Sequence, residues 1–291
     1  MEFSSKVISP LKKFALFYNI VPPMASKGKV LVYRRGAIGD TLLTFPVFEA
    51  LKREGYSVTA IGNTDVLPLA KLLGLADEIY TELYPQILSI SFKREIYISK
   101  EGTLAPFPQE RIWLPLYYLK NLNLPLEFNK KLNIPNSLLK EDFKDYIIVH
   151  PGSGSVHKNP SPSFFLKLKF FLEAKGYKVI FLAGPNETWL FKMHIPCYYS
   201  EDLTELALRL AKAKLFIGND SGITHLASYL GVETVAIFGP TDDVIFHPIG
   251  ERVNIVKLEL PCRPCFPKVC EERKCLKDEE IFERILHLNL F

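Results

Sequence analysis

Four short stretches place glycine beside charged or hydroxyl side chains in a way that suits the binding of an anion. They read RRGAIGD (34–40), HPGSGSVHK (150–158), LAGPNE (182–187) and GNDSG (218–222). Glycine leaves backbone N–H groups uncovered, and the N-terminus of a following helix adds a positive field. One such stretch is weak evidence because glycine also closes ordinary turns. Four of them together indicate an anion-binding site.

None of the four stretches is a standard nucleotide fingerprint. No Gly-Lys-Ser or Gly-Lys-Thr follows any of them, which argues against a P-loop, and GSGSVH (152–157) lacks the third glycine of the dinucleotide motif. A nicotinamide-dependent dehydrogenase is therefore disfavoured.

The elements that would position these stretches alternate between strand and helix. Apolar runs predict strands at 29–35 and 57–62 around a helix at 41–55, and the same alternation begins again with a strand at 145–150. Such alternation implies parallel sheets covered by helices. Two domains of this kind would bind a ligand in the cleft between them, at the carboxyl ends of their strands.

The chain of 291 residues exceeds the usual size of one core, so we predict more than one domain. We divide it into an N-terminal extension over 1–28, a Rossmann-like domain over 29–140 and a second Rossmann-like domain over 141–291. A stretch rich in proline and asparagine at 100–138 predicts loops and the linker.

Composition narrows the class of partner. A net charge of +4 is too mild to indicate a nucleic acid but fits an anionic ligand or an anionic membrane surface. No apolar run reaches the roughly 20 residues that span a bilayer. SPLKKFALFYNIVPP (9–23) predicts a short amphipathic helix, either touching a membrane surface or packed on its own domain. Many Lys, Glu, Ile and Tyr with two Gln resemble the composition of a thermophile's protein.

Five segments, in this order and spacing, resemble the ADP-heptose:lipopolysaccharide heptosyltransferases of glycosyltransferase family 9. They are GAIGDTLLTFP, HPGSGSVHKNPSPSFF, AGPNE, GNDSGITHLASYLG and AIFGPTD. The Asp-Ser-Gly-x-x-His-Leu part is the most specific, and the extension before Lys29 lies outside the pattern. The resemblance implies an α/β protein of the GT-B fold, with two Rossmann-like domains whose parallel sheets face a central cleft. It also implies an inverting sugar transfer.

The resemblance assigns the role of catalytic base to Asp40. An inverting transfer needs a base to take the proton of the acceptor hydroxyl as that oxygen attacks the anomeric carbon. The alternative role for this carboxylate is the N-cap of a helix that begins at Thr41, and both roles are compatible.

The C-terminal domain is expected to hold the donor. By the resemblance, Lys158 contacts the donor phosphates and neutralises the leaving nucleoside diphosphate without a metal, rather than being a solvated surface lysine. Ser153 and Gly154 would supply small polar groups beside it. Glu187 matches the family's residue for the adenosine ribose, whose hydroxyls a carboxylate accepts, or else belongs to the first turn of a helix.

The GNDSG stretch completes the predicted donor site. Ser221, Gly222 and Ile223 would offer backbone N–H groups to the pyrophosphate. Asp220 would orient the loop or meet hydroxyls of the donor sugar. His225 would reach a phosphate oxygen or have a structural role.

Acceptor binding belongs to the N-terminal half in this interpretation. Arginine forks and lysines suit a phosphorylated or acidic lipopolysaccharide core. The candidates, none of them singled out, are Arg34, Arg35, Lys93, Arg94 and Arg111.

Four cysteines crowd into CRPCFPKVCEERKC (262–275). They are Cys262, Cys265, Cys270 and Cys275. Such density suits a tetrahedral thiolate site for zinc or iron, or two disulfides. By the resemblance, this segment is similar to an iron-binding finger of related protein heptosyltransferases. A cytoplasmic location favours a metal or free thiols over disulfides. Any metal here is expected to be structural, whereas Cys197 is expected to be a buried small apolar residue.

The sequence thus predicts an inverting transferase that moves heptose from ADP-heptose to the inner core of lipopolysaccharide and needs no cofactor for catalysis. It would work in the cytoplasm, including the cytoplasmic face of the inner membrane, and bind no nucleic acid. Two alternatives stay open: a GT-B transferase with another nucleotide sugar or a protein acceptor, and a nucleotide-binding module without catalysis.

Overall fold

The computed structural model describes residues 27–266 and 270–291. The amphipathic helix predicted at 9–23 lies outside the described residues. Within them, strands and helices alternate as the sequence predicts. The strands are β1 (Lys29–Arg34), β2 (Ser57–Gly62), β3 (Glu78–Tyr80), β4 (Arg94–Tyr97), β5 (Tyr146–His150), β6 (Lys178–Ala183), β7 (Cys197–Tyr199), β8 (Leu215–Asn219), β9 (Thr234–Phe238) and β10 (Val253–Lys257).

Ten helices accompany these strands in the described part of the chain. They are α1 (Ile38–Leu42), α2 (Phe45–Arg53), α3 (Leu67–Leu72), α4 (Pro85–Leu88), α5 (Leu114–Asn121), α6 (Pro162–Ala174), α7 (Thr188–Lys192), α8 (Leu203–Leu210), α9 (Gly222–Tyr229) and α10 (Asp278–Leu286). Short 3-10 turns cover Asn136–Leu138, Val156–Lys158 and Lys274–Leu276.

The strands form two parallel sheets, which confirms the predicted fold class. One sheet has the order β3-β2-β1-β4 and the other the order β10-β9-β8-β5-β6-β7. In each sheet the chain starts at an inner strand, moves to one edge and then returns to the other side of that strand. Ligands of such sheets bind where the order reverses. Here these points lie beside the ends of β1 and β5.

The helix predicted over 41–55 is wrong in its bounds. The structure has two helices instead, α1 and α2, joined at Leu43 and Thr44. Pro46 explains the break, because proline has no N–H for the carbonyl four residues earlier and its ring collides with that carbonyl. The predicted stop at Gly55 is confirmed, since this residue has φ +88°, which favours glycine.

Apolar packing joins the two halves. One continuous cluster of buried side chains contains Val32 and Phe48 of the first half together with Leu206 and Leu226 of the second. Each side chain of this size, when fully buried, stabilises the fold by about 2 kcal/mol. The domains therefore share an apolar interface besides the linker.

A second cluster fills the space between the larger sheet and helices α6 and α10. In it, Phe282 of α10 packs edge-on against Phe171 with ring centroids 5.6 Å apart. The C-terminal helix thereby closes the second domain. In the described part of the chain, no helix has the length and apolar character needed to cross a membrane.

Candidate active site

Helices α1 and α9 bring their N-terminal ends together between the two sheets. A Cβ atom on Gly222 would lie 2.5 Å from the Cβ of Ile38, and one on Gly39 would lie 3.1 Å from the ring of His225. Non-bonded carbon atoms of separate side chains do not approach to 2.5 Å, so Gly222 is required for this approach. The glycines of RRGAIGD and GNDSG therefore let the two domains touch.

Asp40 lies in the first turn of α1 and faces the cleft. Its Oδ2 accepts a hydrogen bond from the Ala37 N–H at 3.0 Å, and its Oδ1 lies 3.5 Å from Nη2 of Arg34. The alternative prediction, that Asp40 is the N-cap of a helix beginning at Thr41, is wrong. The helix begins at Ile38, and Ala37 occupies the N-cap position. Asp40 instead bonds back to that residue from inside the helix, and its side chain keeps 20% of its surface exposed.

Arg34 is a neighbour of Asp40 that sequence reasoning did not single out. It is the last residue of β1 and is buried. Its Nε donates to the hydroxyl of Tyr118 at 3.3 Å, and that hydroxyl donates to the carbonyl of Pro106 at 2.8 Å. Burial raises the pKa of Tyr118 to about 12, so the hydroxyl keeps its proton. The guanidinium also lies 5.4 Å from the ring centroid of Phe107.

Lys158 and Asp220 form an ion pair in the C-terminal domain. The Nζ atom lies 3.0 Å from Oδ2 of Asp220, and Nε2 of His225 lies 3.7 Å from Oδ1. The lysine side chain keeps only 14% of its surface exposed, so it is not a solvated surface residue. Burial raises the pKa of Asp220, but His225 and the charge of Lys158 outweigh that effect and lower it to about 2. Asp220 is therefore ionised at neutral pH.

Ser221 is the N-cap of α9. Its Oγ accepts a hydrogen bond from the Thr224 N–H at 3.3 Å. Because the first N–H groups of a helix have no partner inside it, those of Gly222 and Ile223 point out of the helix end. The N-terminus of α9 therefore offers donors and a positive field to an anion.

Glu187 is buried at the start of α7. Its Oε2 accepts a hydrogen bond from the Gly184 N–H at 2.6 Å and lies 3.7 Å from Nε2 of His150. Burial raises the pKa of Glu187, whereas His150 and the Gly184 N–H lower it, and the net result is a pKa below its ordinary value. The other ring nitrogen of His150 lies 3.4 Å from Oγ of Ser221. His150, at the end of β5, thus lies between two predicted site residues, Glu187 and Ser221. The sequence signal that could have identified it as a site residue is its position at the end of a predicted strand.

Ser153 has a structural task in the HPGSGSVHK loop. Its Oγ donates toward the Ser155 carbonyl at 2.7 Å and lies 2.6 Å from Oδ1 of Asn159. Asn219, another residue not predicted, donates to Pro151 at 2.8 Å and to Asn159 at 3.0 Å. These bonds fix the loop that carries Lys158.

Two adjoining cavities contain the predicted donor residues and Asp40. The Glu187 cavity, of about 360 Å³, is lined by Glu187, His150, Ser153, Gly154, Ser221, Gly222 and Ile223 among others. The Asp40 cavity, of about 280 Å³, is lined by Asp40, Gly154, Lys158, Asp220, Ser221, Gly222 and His225 among others. The cavities share Gly154, Ser221 and Gly222. The structure therefore brings all ten predicted catalytic and donor residues to one place.

None of the five basic acceptor candidates lines either cavity. Arg35 is 62% exposed, and Lys93 and Arg94 also lie away from the cavity walls. Arg111 instead crosses between the halves, with its Nε 2.8 Å from Oδ2 of Asp242. The structure thus gives Arg111 a role in domain contact.

The cysteine segment does not form the predicted metal site within the described residues. All four thiols are free, and they line one cavity of about 190 Å³. No three His, Cys, Asp or Glu side chains of the described part are arranged to hold a metal ion. Cys275 is buried in the apolar core, where burial raises the pKa of its thiol. The two disulfides that the sequence also allowed are not formed by these four cysteines. Cys197, which was expected to be buried, is half-buried.

Comparison with known proteins supplies the family. Residues 120–276 match the profile of glycosyltransferase family 9 (heptosyltransferase). Lipooligosaccharide heptosyltransferase 2 of Campylobacter jejuni is 33% identical over 173 residues, which cover 53% of this chain and 54% of that protein. Lipopolysaccharide heptosyltransferase 1 of Pseudomonas aeruginosa is 32% identical over 81 residues, covering 28% of this chain and 23% of that protein. The chain thus spans about half the length of its Campylobacter relative.

Solved structures share the fold at low identity. The Escherichia coli ADP-heptose lps heptosyltransferase II superposes with a TM-score of 0.68 at 14% identity, covering 89% of this chain and 98% of that one. The iron-containing dodecameric glycosyltransferase TibC from enterotoxigenic E. coli superposes with a TM-score of 0.69 at 16% identity, covering 91% and 77%. These likenesses confirm the GT-B fold. Because the family profile matches more than half of the chain, the chain belongs to glycosyltransferase family 9, the heptosyltransferases.

Proposed function

We propose that this chain transfers heptose from ADP-heptose to a sugar of the lipopolysaccharide core, with inversion at the anomeric carbon and without a catalytic metal. One observation carries the proposal: Asp40 of the first domain lines the same cavity as Lys158 and Asp220 of the second. A base and a phosphate site on opposite domains are what an in-line transfer between two substrates needs. The relatives' names, which include heptosyltransferases of lipopolysaccharide and lipooligosaccharide, supply the substrate class.

In this proposal the Glu187 cavity takes the nucleoside of the donor. The carboxylate of Glu187, ionised at neutral pH because its pKa is lowered, would accept hydrogen bonds from the ribose hydroxyls. The pyrophosphate would lie at the N-terminus of α9, on the N–H groups of Gly222 and Ile223. Lys158 would then exchange its contact with Asp220 for a phosphate oxygen. Asp220 repels phosphate, so it would face hydroxyls of the donor sugar.

The chemical step would begin at Asp40. As the acceptor hydroxyl oxygen attacks the anomeric carbon, its proton moves to the Asp40 carboxylate. The bond between that carbon and the phosphate oxygen breaks on the opposite face, and ADP leaves with the electron pair. Lys158 and the α9 N-terminus would stabilise the charge on ADP. Arg34 and the Ala37 N–H would hold the carboxylate in place, and the proton then passes to solvent.

The reaction belongs in the cytoplasm in this proposal, since the nucleotide sugar is found there. A lipid-linked acceptor would bring the protein to the cytoplasmic face of the inner membrane.

Division into domains at residue 140 is part of the same proposal. That position lies between β4, the last strand of the first sheet along the chain, and β5, the first strand of the second sheet.

Calorimetric titration with ADP, UDP and GDP in the absence of divalent metal tests the donor site. We expect selective binding of ADP, weakened about 10- to 100-fold in Lys158→Ala, because a charge-assisted hydrogen bond contributes about 1.5–3 kcal/mol. Lys120→Ala makes the same change at an exposed lysine and leaves the affinity as it is. Preference for UDP or GDP would point to another donor, and an unchanged affinity in Lys158→Ala would remove Lys158 from the phosphate site.

A further inference from the structure

Three phenylalanine rings in the Asp40 cavity have no task in donor binding. Phe107, Phe246 and Phe266 come from three separate segments and line this cavity together. Phe107 is 45% exposed and Phe266 is 44% exposed. Rings that only filled a gap between domains would be buried, and large exposed apolar side chains in a cleft mark a binding surface.

The rings divide between the two ends of the cavity. Phe107 and Phe246 form an edge-to-face pair with centroids 5.7 Å apart. Arg34, which also approaches Asp40, lies against the ring of Phe107. Phe266 instead lies 5.7 Å from Nζ of Lys158, on the phosphate side. The Phe107–Phe246 pair is therefore associated with the proposed base.

We propose that Phe107 and Phe246 form the subsite for the sugar ring of the acceptor. A pyranose has a polar edge of hydroxyls and an apolar face of C–H groups, and the electron-rich face of an aromatic ring attracts those C–H groups. Stacking on Phe107 would exclude water from that face and turn the hydroxyl edge toward Asp40. Because the subsite serves the hydroxyl that Asp40 deprotonates, this inference rests on the proposed function.

The acceptor subsite also gives a function to the contact between Phe107 and Phe246, which the proposed donor site does not use. Phe107 belongs to the linker region and Phe246 to the second domain, so their contact joins these two parts of the chain beside Asp40.

Acceptor and donor binding can be measured separately on the whole protein. The probe for the acceptor is O-deacylated lipopolysaccharide from a heptose-deficient strain, followed by saturation-transfer NMR, and the probe for the donor site is ADP, followed by calorimetry. We expect Phe107→Leu to weaken binding of the oligosaccharide about fivefold while the affinity for ADP is unchanged. Phe107→Tyr, which keeps a ring, should bind it as the natural protein does.

Phe170→Leu is the matched control. Phe170 is 68% exposed on α6 and lines neither cavity, so this variant should bind both probes normally. The inference is overturned by unchanged oligosaccharide binding in Phe107→Leu, by an equal loss of affinity for ADP, or by a natural protein that binds ADP but no oligosaccharide. Binding of the oligosaccharide on these rings without binding of ADP would support the subsite and defeat the proposed donor.

Discussion

At the scale of single residues, the two aspartates of the Asp40 cavity have opposite surroundings. Asp220 is buried between Lys158 and His225, and its pKa is lowered to about 2. Asp40 is partly exposed and is fixed on one side by a backbone N–H and Arg34. A paired, buried carboxylate suits orientation of a loop or sugar, whereas an accessible one suits proton transfer. This contrast supports the proposed assignment of Asp40 as the base.

Asp220 is expected to stabilise the fold at neutral pH and to lose that effect in acid. Its folded pKa of about 2 lies below the value of about 3.9 in an unfolded chain, so the stabilisation is complete above that value and disappears as the pH falls through about 2. We expect the difference in free energy of unfolding between the natural protein and Asp220→Asn to be about 2 kcal/mol smaller at pH 2 than at pH 6.

Urea unfolding at the two pH values makes this measurement. Asp65→Asn, at an exposed aspartate, is the control and should change the free energy of unfolding little at either pH. A difference for Asp220→Asn that does not vary with pH would show that the pairing with Lys158 and His225 contributes no stability.

The site residues could be predicted from the sequence more easily than the side chains that contact them. The ten catalytic and donor residues lie in short stretches and take their roles largely from the resemblance of those stretches to a known family, and the structure gathers them into two cavities. Arg34 and His150 begin two of the glycine-bearing stretches, but neither stretch indicates the side chains far away in sequence that they contact, such as Tyr118 and Glu187. The cysteine segment shows the same limit, because the spacing of Cys262 to Cys275 does not reveal that Cys275 is packed in the core.

At the scale of elements, the contact of α1 with α9 positions the site. The strands predicted at 29–35, 57–62 and 145–150 are confirmed because continuous apolar runs mark them, whereas the helix over 41–55 is wrong in its bounds because Pro46 divides it. The division lets the short α1 turn its N-terminus and Asp40 toward α9. Gly222 makes the contact close enough to join the two halves of the cavity.

Gly222→Ala should therefore force the domains apart. The new methyl group would lie 2.5 Å from the Cβ of Ile38, with backbone of Gly39 also close, so the helices must separate. We expect a larger radius of gyration by small-angle scattering and a transfer rate about 100-fold lower, since a shift of about 1 Å can cost that much. Gly154→Ala, where an added Cβ meets nothing within 4 Å, should scatter as the natural protein does. An unchanged scattering profile in Gly222→Ala would contradict the close contact.

At the scale of the whole molecule, two sheets face one cleft and are held together by more than a linker. Besides the shared apolar cluster, Arg111 reaches Asp242, and the indole N–H of Trp113 donates to the His247 carbonyl at 2.7 Å. The two-domain plan could be predicted from the repeated alternation of strand and helix. These cross-domain contacts could not, because they depend on how the second domain is turned against the first.

The central claim is that a base on one domain serves a donor on the other, and Asp40→Asn tests it most directly. Both heptose transfer from ADP-heptose to heptose-deficient lipopolysaccharide and ADP binding should be measured on the same preparation. We predict a loss of transfer of about 100- to 10,000-fold, because the amide cannot accept the proton, with the affinity for ADP retained. Transfer at the natural rate by Asp40→Asn would contradict the account.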